Sequence, residues 1–283
     1  MRAASGSCCA SGVPTKRATP WASRTLLALV SSCCILALQS SAAAAIIGIN
    51  FLGLGTKSGT VYVRPLEPTE WAGVPGVRQA NWNNAEGADN TTGLSLHDAD
   101  GQAIGATVTW TFGEKAYTAV SDSTGDGCLM RGYLYRFSTL APPSITVAGL
   151  GPSFTAHGYG VLVYFDGQNA TGTPSDWITQ YTLTAGGSTF GTVFGKDAAG
   201  VNFSGTFSEA SGSTAGSATA GNYVRFDGLK TSAFTLTATP ISGDGPINAI
   251  QIVSVPEPAS LALLILGLTL PLAARLGRGR PRR

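Results

Sequence analysis

Apolar and polar residues alternate through the middle of the chain, between residues 46 and 253. In the segment 107–112 the large residues Val108, Trp110 and Phe112 occupy every second position between threonines, and the segment 234–239 repeats the pattern. No apolar period of 3.6 residues extends beyond a turn or two. A period of two directs successive side chains to opposite faces of a strand. We therefore expect strands with one buried face and one wet, threonine-rich face, as in antiparallel sheets.

Turn-forming Gly, Asn, Asp and Pro residues separate twelve such segments. The predicted strands cover residues 46–52, 60–64, 107–112, 133–137, 144–148, 161–165, 177–184, 190–194, 201–207, 223–226, 234–239 and 247–253. Short strands without helices between them predict an all-β fold, an antiparallel β-sandwich of jelly-roll-like type. One sandwich can accommodate about 208 residues, and two smaller sandwiches meeting near residues 141–143 are the alternative.

Charge is low and unevenly distributed. Charged residues make up 12% of the 283 residues, against about 25% in an average soluble protein, which excludes a charged helical protein and a nucleic-acid binder. Four basic residues precede residue 46 and five arginines follow residue 274, so that nine basic and fifteen acidic residues lie between 46 and 255. The middle is a mildly acidic domain, and the basic ends need a separate explanation.

The first 45 residues have the organisation of a secretory signal peptide. Basic residues precede a 14-residue apolar run from Thr25 to Leu38, and small residues follow up to Ala45. The run is shorter than the roughly 20 residues of a spanning helix, and the A-x-A arrangement marks a cleavage site. We expect export and cleavage after Ala44 or Ala45. Acylation of Cys33, which lies in a segment similar to a lipoprotein box, is the alternative.

The last 30 residues have the features of a membrane-anchored tail. An apolar run at 259–274 would form a helix of about 24 Å. It is followed by Arg275, Arg278, Arg280, Arg282 and Arg283. Arginines beside an apolar helix keep that end in the cytoplasm, and the first of them can extend toward the lipid headgroups. We expect a transmembrane helix with the domain outside and the tail inside.

The sequence Val255-Pro256-Glu257-Pro258, followed by a short apolar helix and an arginine-rich end, resembles the PEP-CTERM sorting signal of diderm bacteria that make exopolysaccharide. The resemblance covers the last 29 residues. It implies recognition at Pro256, Glu257 and Pro258 by exosortase, a membrane-embedded cysteine transpeptidase, with removal of the tail and transfer outward. The expected location is an inner-membrane precursor and then the cell surface or extracellular matrix. An ordinary anchor that is never cut is the alternative.

Candidate binding chemistry is limited to two features. Trp82 lies in a polar segment with Asn83 and Asn84, and sugars bind by stacking on aromatic faces with amides beside them, so this segment is the expected glycan contact. Two aspartate-rich turns offer the oxygen ligands that Ca²⁺ prefers. They contain Asp98 and Asp100, and Asp122 and Asp126.

Catalysis has little support in the sequence. There is no G-x-S-x-G, no H-E-x-x-H and no glycine-rich phosphate loop after a strand. Cleavage of the leader leaves Cys128 as the one cysteine, which we expect to be a buried thiol. We predict no catalytic residue and no cofactor. The chain is interpreted as a signal peptide (1–45), a sandwich (46–253) and a sorting signal (254–283) of a structural or adhesive protein in exopolysaccharide. A carbohydrate-binding or glycan-hydrolysing module is the alternative.

Overall fold

The structure is a computed structural model that describes residues 44–57, 60–111, 113–136, 139–169 and 175–256. The predicted leader up to Ala43 and the residues from Glu257 onward lie outside the described residues. The described residues belong to one compact unit of the chain, Ala42–Glu257.

The described residues form sixteen strands, two helices and one 3-10 helix, Ala215–Ser217. The strands are β1 (Ile46–Phe51), β2 (Thr56–Lys57), β3 (Thr60–Val61), β4 (Asn83–Ala85), β5 (Asn90–His97), β6 (Ala103–Thr111), β7 (Glu114–Tyr117), β8 (Gly132–Tyr135), β9 (Ser144–Ala148), β10 (Tyr159–Tyr164), β11 (Trp177–Ala185), β12 (Ser188–Asp197), β13 (Thr219–Ala220), β14 (Tyr223–Leu229), β15 (Ala233–Ser242) and β16 (Ala249–Ser254). The helices are α1 (Gly125–Arg131) and α2 (Pro152–Thr155). Within the part of the chain that is described, no helix is long and apolar enough to cross a membrane.

The strands form two large sheets that pack face to face, which confirms the predicted all-β sandwich. A seven-stranded sheet has the order β13-β12-β11-β15-β9-β6-β5, and a five-stranded sheet has the order β14-β10-β16-β1-β4. Most pairs are antiparallel, while β1 pairs with β4 and β12 with β13 in parallel. One apolar core joins both sheets, because it contains Val108 and Leu236 of the larger sheet and Ile49, Val163 and Ile250 of the smaller one.

The larger sheet has the two faces that its sequence predicts. Leu236 is fully buried, whereas its neighbour Thr235 is half-buried and its Oγ1 lies 2.9 Å from Oγ1 of Thr146. The strand register aligns the outward side chains into two rows that cross five strands. The threonine rows are Thr109-Thr146-Thr235-Thr184-Thr189 and Thr111-Ser144-Thr237-Thr182-Thr192. β-Branched hydroxyl residues suit such a half-hydrated pleated surface.

The central strands of the smaller sheet are buried on both faces, whereas its edge strand β14 exposes Arg225 and Asp227. Strand β10 has all six residues buried, because its second face packs on another apolar cluster. That cluster combines Leu162 and Tyr164 of β10 with Trp82 and with Cys128 and Leu129 of α1. Helix α1 begins at the N-cap Thr124, whose side chain accepts a hydrogen bond from Gly127 N at 3.1 Å. This cap starts the helix in a polar turn, and the residues that follow are buried.

One predicted strand was wrong. Residues 201–207 alternate apolar and polar side chains but form no strand. The tilted rings of Phe203 and Phe207 instead pack against each other with centroids 4.8 Å apart, and Phe207 contacts the Tyr164 ring edge-on at 5.4 Å. Their apolar character serves to cover the outer face of the smaller sheet.

Candidate functional site

The two ends of the described domain lie side by side. Ile46 pairs with Val253 in the antiparallel register of β1 and β16. Ala45 N donates to Ser254 Oγ at 2.7 Å, and Ser254 N donates to Ala45 O at 2.9 Å. Beyond Ser254, Val255 N donates to Gly158 O at 2.8 Å, and Pro256 is exposed. The chain therefore enters the domain next to the expected signal-cleavage site and leaves it at the first residue of the sorting motif. Both points lie at the same corner of the domain.

The rest of the predicted sorting signal has no structural description. Glu257 and Pro258 lie outside the described residues, as do Arg275, Arg278, Arg280, Arg282, Arg283 and the alternative acylation site Cys33.

The structure buries Trp82, contrary to the expectation for an aromatic residue in a polar segment. Its side chain is 5% exposed, its Nε1 donates to Gln79 O at 3.2 Å, and its ring meets the Tyr164 ring edge-on at 6.1 Å. The ring also packs directly against Gly48, where a Cβ atom would have no room. Neither face of the indole is available for stacking on a sugar.

Asn83 and Asn84 lie in β4 rather than in a loop, and their amides bind the protein itself. Asn83 Nδ2 donates to Gly48 O at 2.8 Å and to His97 O at 2.9 Å. Asn84 Oδ1 accepts from Asn50 Nδ2 and from Leu66 N, each at 3.0 Å. A groove of about 400 Å³ does lie along this segment, but these amides are already occupied in holding the backbone.

The four aspartates considered for Ca²⁺ do not form one site. Asp98 Oδ1 accepts from Asp100 N and Gln102 N and so closes the β5–β6 turn. Asp126 lies in the first turn of α1, where its carboxylate accepts from Gly73 N and pairs with Arg78 at 3.0 Å. Asp122 lies 3.8 Å from Arg131. Among the described residues no group of three or more His, Cys, Asp or Glu side chains is placed to hold a metal.

An exposed aromatic residue is present elsewhere on this side of the molecule. Trp71 is 61% exposed. Arg78 Nη2 donates to the backbone oxygen of Trp71 at 3.0 Å and to Asp126 Oδ2 at 3.0 Å, which places a cation and a carboxylate beside the backbone of Trp71. An exposed, flat aromatic face is a surface on which a sugar can stack.

Two buried carboxyl groups, Asp166 and Asp197, form a site that the sequence did not indicate. Asp166 follows β10 and Asp197 ends β12, and they are 2% and 4% exposed. Phe203 N donates to Asp166 Oδ1 at 3.1 Å, and Gly167 N donates to Asp197 Oδ2 at 2.8 Å. The nearest signal in the sequence was the Asp166-Gly167 pair, which is also a common turn sequence.

The surroundings of this acid pair disfavour two negative charges. Burial raises the pKa of Asp166 well above its ordinary value, and the charge of Asp197 raises it further, while the bond from Phe203 N lowers it. Burial likewise raises the pKa of Asp197, although the hydrogen bond from Gly167 N opposes the effect. A carboxylate that is removed from water without a positive partner loses more solvation energy than backbone hydrogen bonds return.

Comparison with known proteins gives little that bears on function. No family model and no curated protein matches the chain. A solved structure, a calcium-binding mutant of beta-glucuronidase 2 from Bacteroides uniformis, aligns at a TM-score of 0.28 with 9% sequence identity. The alignment covers 63% of this chain and 20% of the other, so the chain spans about a fifth of that protein's length.

Proposed function

We propose that this chain is an exported, non-catalytic protein of the cell surface or extracellular matrix, sorted by exosortase and structural or adhesive within exopolysaccharide. The observation that supports it is the corner where β1 begins and β16 ends. At the two ends of the domain, Ala45 is hydrogen-bonded to Ser254 and Val255 is hydrogen-bonded to Gly158. The described fold therefore begins and ends near the boundaries that the sequence suggests for the leader and the sorting signal.

The same corner supports one cleavage site over the other. Both the N–H and the C=O of Ala45 bind Ser254. Cleavage after Ala44 keeps both groups in the mature protein, whereas cleavage after Ala45 removes them. The proposal therefore has Ala45 as the first mature residue. The proposal also includes a jelly-roll-like connectivity of the sandwich, a signal helix before it and a transmembrane helix after it.

The outer face of the larger sheet supports a structural role in a hydrated polysaccharide. The threonine rows present hydroxyl groups across five strands. Such a surface can exchange hydrogen bonds with water and with sugar hydroxyls at little cost.

Mass spectrometry of the protein from its own cells tests the sorting proposal. We expect Ala45 at the N-terminus and a C-terminus near Pro256, with the arginines removed. Deleting exosortase, or changing Glu257→Gln, should leave the full tail in the inner-membrane fraction, whereas the exposed-site control Glu67→Gln should be processed normally. A full-length chain that is soluble in the cytoplasm, with its leader uncut, would contradict the proposal.

Carbohydrate binding is the second candidate, and the exposure of Trp71 favours it. Under this proposal the full-length protein binds glycans on an array, and Trp71→Ala abolishes binding without loss of fold. A reducing-sugar assay on the same glycans separates binding from hydrolysis. Blank results on both assays would leave the structural role alone.

A further inference from the structure

The acid pair borders a cavity of about 190 Å³ between the end of β10, the end of β12 and the segment 201–208. Asp166, Asp197 and Asn202 all line it. These three residues come from separate parts of the chain, and each contributes a side-chain oxygen. The cavity is therefore bordered by two carboxyl groups and by the amide of Asn202, while the amide of Asn222, which also lines it, already binds Ser208 N and Thr206 O.

Several of the oxygens at this place have no hydrogen-bond donor. Asp166 Oδ2 and Asn202 Oδ1 are buried and accept no hydrogen bond from any described residue. Asn169 is 2% exposed, and its Nδ2 donates to Asp197 O and to Ala198 O, each at 3.0 Å. Both hydrogens of that amide are used, and Asn169 Oδ1 is left buried without a donor. Native proteins rarely leave such oxygens unsatisfied, and a bound ion is one of the usual reasons.

In the part of the chain that the structure describes, no basic side chain forms an ion pair with Asp166 or Asp197. The adjacent Lys196 binds Asp176 at 3.2 Å on the exposed side. The available N–H groups already bind Asp166 Oδ1 and Asp197 Oδ2. A cation bound at the oxygens that lack a donor would neutralise the carboxylates and replace the missing hydrogen bonds.

We propose that this cavity is a Ca²⁺ site, with the Asp166 and Asp197 carboxylates and Asn202 Oδ1 as ligands. Carboxylate and amide oxygens without nitrogen or sulfur ligands suit Ca²⁺ rather than Zn²⁺. Direct ligation by several protein oxygens suits Ca²⁺ rather than Mg²⁺, which keeps more of its water. The ion would connect the chain after β10, the end of β12 and the segment that covers the smaller sheet.

Calcium binding to the full-length protein in detergent, after treatment with EDTA, tests the proposal. Calorimetric titration should give one site with a Kd of about 0.1–1 mM, as in extracellular modules. At about 100 times Kd, Ca²⁺ should raise Tm by about 5 °C or more, and Mg²⁺ at the same concentration should raise it by much less. Equal responses to the two ions, or no response, would overturn the assignment.

Terbium luminescence locates the ion. Trp177 packs directly against Gly167, next to the acid pair, so Tb³⁺ bound there should emit when tryptophan is excited, and Ca²⁺ should displace it. Trp177→Phe should remove most of the sensitised emission and keep the calorimetric site. Unchanged emission from Trp177→Phe would place the ion elsewhere and overturn the proposal.

Asp166→Asn and Asp197→Asn keep the acceptors for Phe203 N and Gly167 N, and each should abolish Ca²⁺ binding. Asn202→Ala removes a ligand from a half-buried position and should weaken binding at least about tenfold, which keeps the test available if the buried variants do not fold. Asp100→Asn, in the exposed β5–β6 turn, is the matched control and should leave binding unchanged. Loss of binding in this control alone would overturn the proposal. Because the sorting experiments do not involve this cavity, the two proposals can fail separately.

Discussion

Ala45 and Ser254 bind each other through two hydrogen bonds, although 209 residues separate them. They extend the β1–β16 pairing by one step beyond Ile46 and Val253. Ser254 is 5% exposed, so its hydroxyl accepts the hydrogen bond from Ala45 N in a place that is largely shielded from water.

Replacing Ser254 by Ala should destabilise the protein by about 1–3 kcal/mol, because Ala45 N then loses its acceptor in a poorly hydrated place. Urea unfolding followed by circular dichroism measures the change. Ser153→Ala, at an exposed position of α2, is the control and should lie within about 0.5 kcal/mol of the parent protein. Equal effects of the two changes would argue against the Ala45–Ser254 contact.

Two tryptophans should respond in opposite ways to truncation. Trp82→Ala opens a cavity in the apolar cluster beneath α1 and should cost about 3–5 kcal/mol. Trp71→Ala removes a side chain that is 61% exposed and should change the free energy of unfolding by less than about 0.5 kcal/mol. Denaturant unfolding of both variants distinguishes them. A mild effect at Trp82 would mean that its indole is not part of the core.

Adjacent residues of β15 should differ in their effect on stability when replaced by alanine, because they lie on opposite faces of the larger sheet. Leu236→Ala removes a fully buried side chain and should cost about 2–5 kcal/mol. Thr235→Ala removes one hydroxyl contact with Thr146 and should cost about 1 kcal/mol or less. Thermal unfolding of the pair measures both, and a reversed order would contradict the register of β15 and β9.

The Cys128 thiol should be unreactive in the native protein. It is fully buried and donates to Arg64 O at 3.2 Å, and burial raises its pKa to about 11 although the charge of Arg64 opposes the effect. Because the thiolate is the reactive form, a thiol reagent at pH 8 should label Cys128 only in denaturant. Rapid labelling of the native protein would show that α1 opens readily.

The sequence predicted those strands whose environment is local and regular. The strand at Ser144–Ala148 was predicted with its observed limits, because it lies in the interior of a sheet with one wet face. Strand β5 (Asn90–His97) was missed because it lies at a sheet edge and begins with three polar residues followed by Gly93. Strand β10 was recognised by its apolar run, but the burial of its second face depends on α1 and on distant loops.

The candidate sites depended on contacts that local sequence cannot reveal. Asn83 and Asn84 looked like groups available for a sugar, and their partners Gly48, His97 and Leu66 are 14 to 35 residues away. Asp166 and Asp197 were each plausible turn residues. Strand β10 belongs to the smaller sheet and β12 to the larger one, so only the packing of the two sheets brings these carboxyl groups to the same cavity, and no spacing rule in the chain records that.

The position of β16 has a mechanical consequence. It is hydrogen-bonded to β1 along one edge and to β10 along the other, and it leads directly to Pro256. Antiparallel hydrogen bonds run across the strand direction. A force applied to the tail along β16 would therefore load the hydrogen bonds to β1 and to β10 together, in shear, instead of breaking them one at a time. A domain tethered by this end should resist flow better than one held by an edge strand.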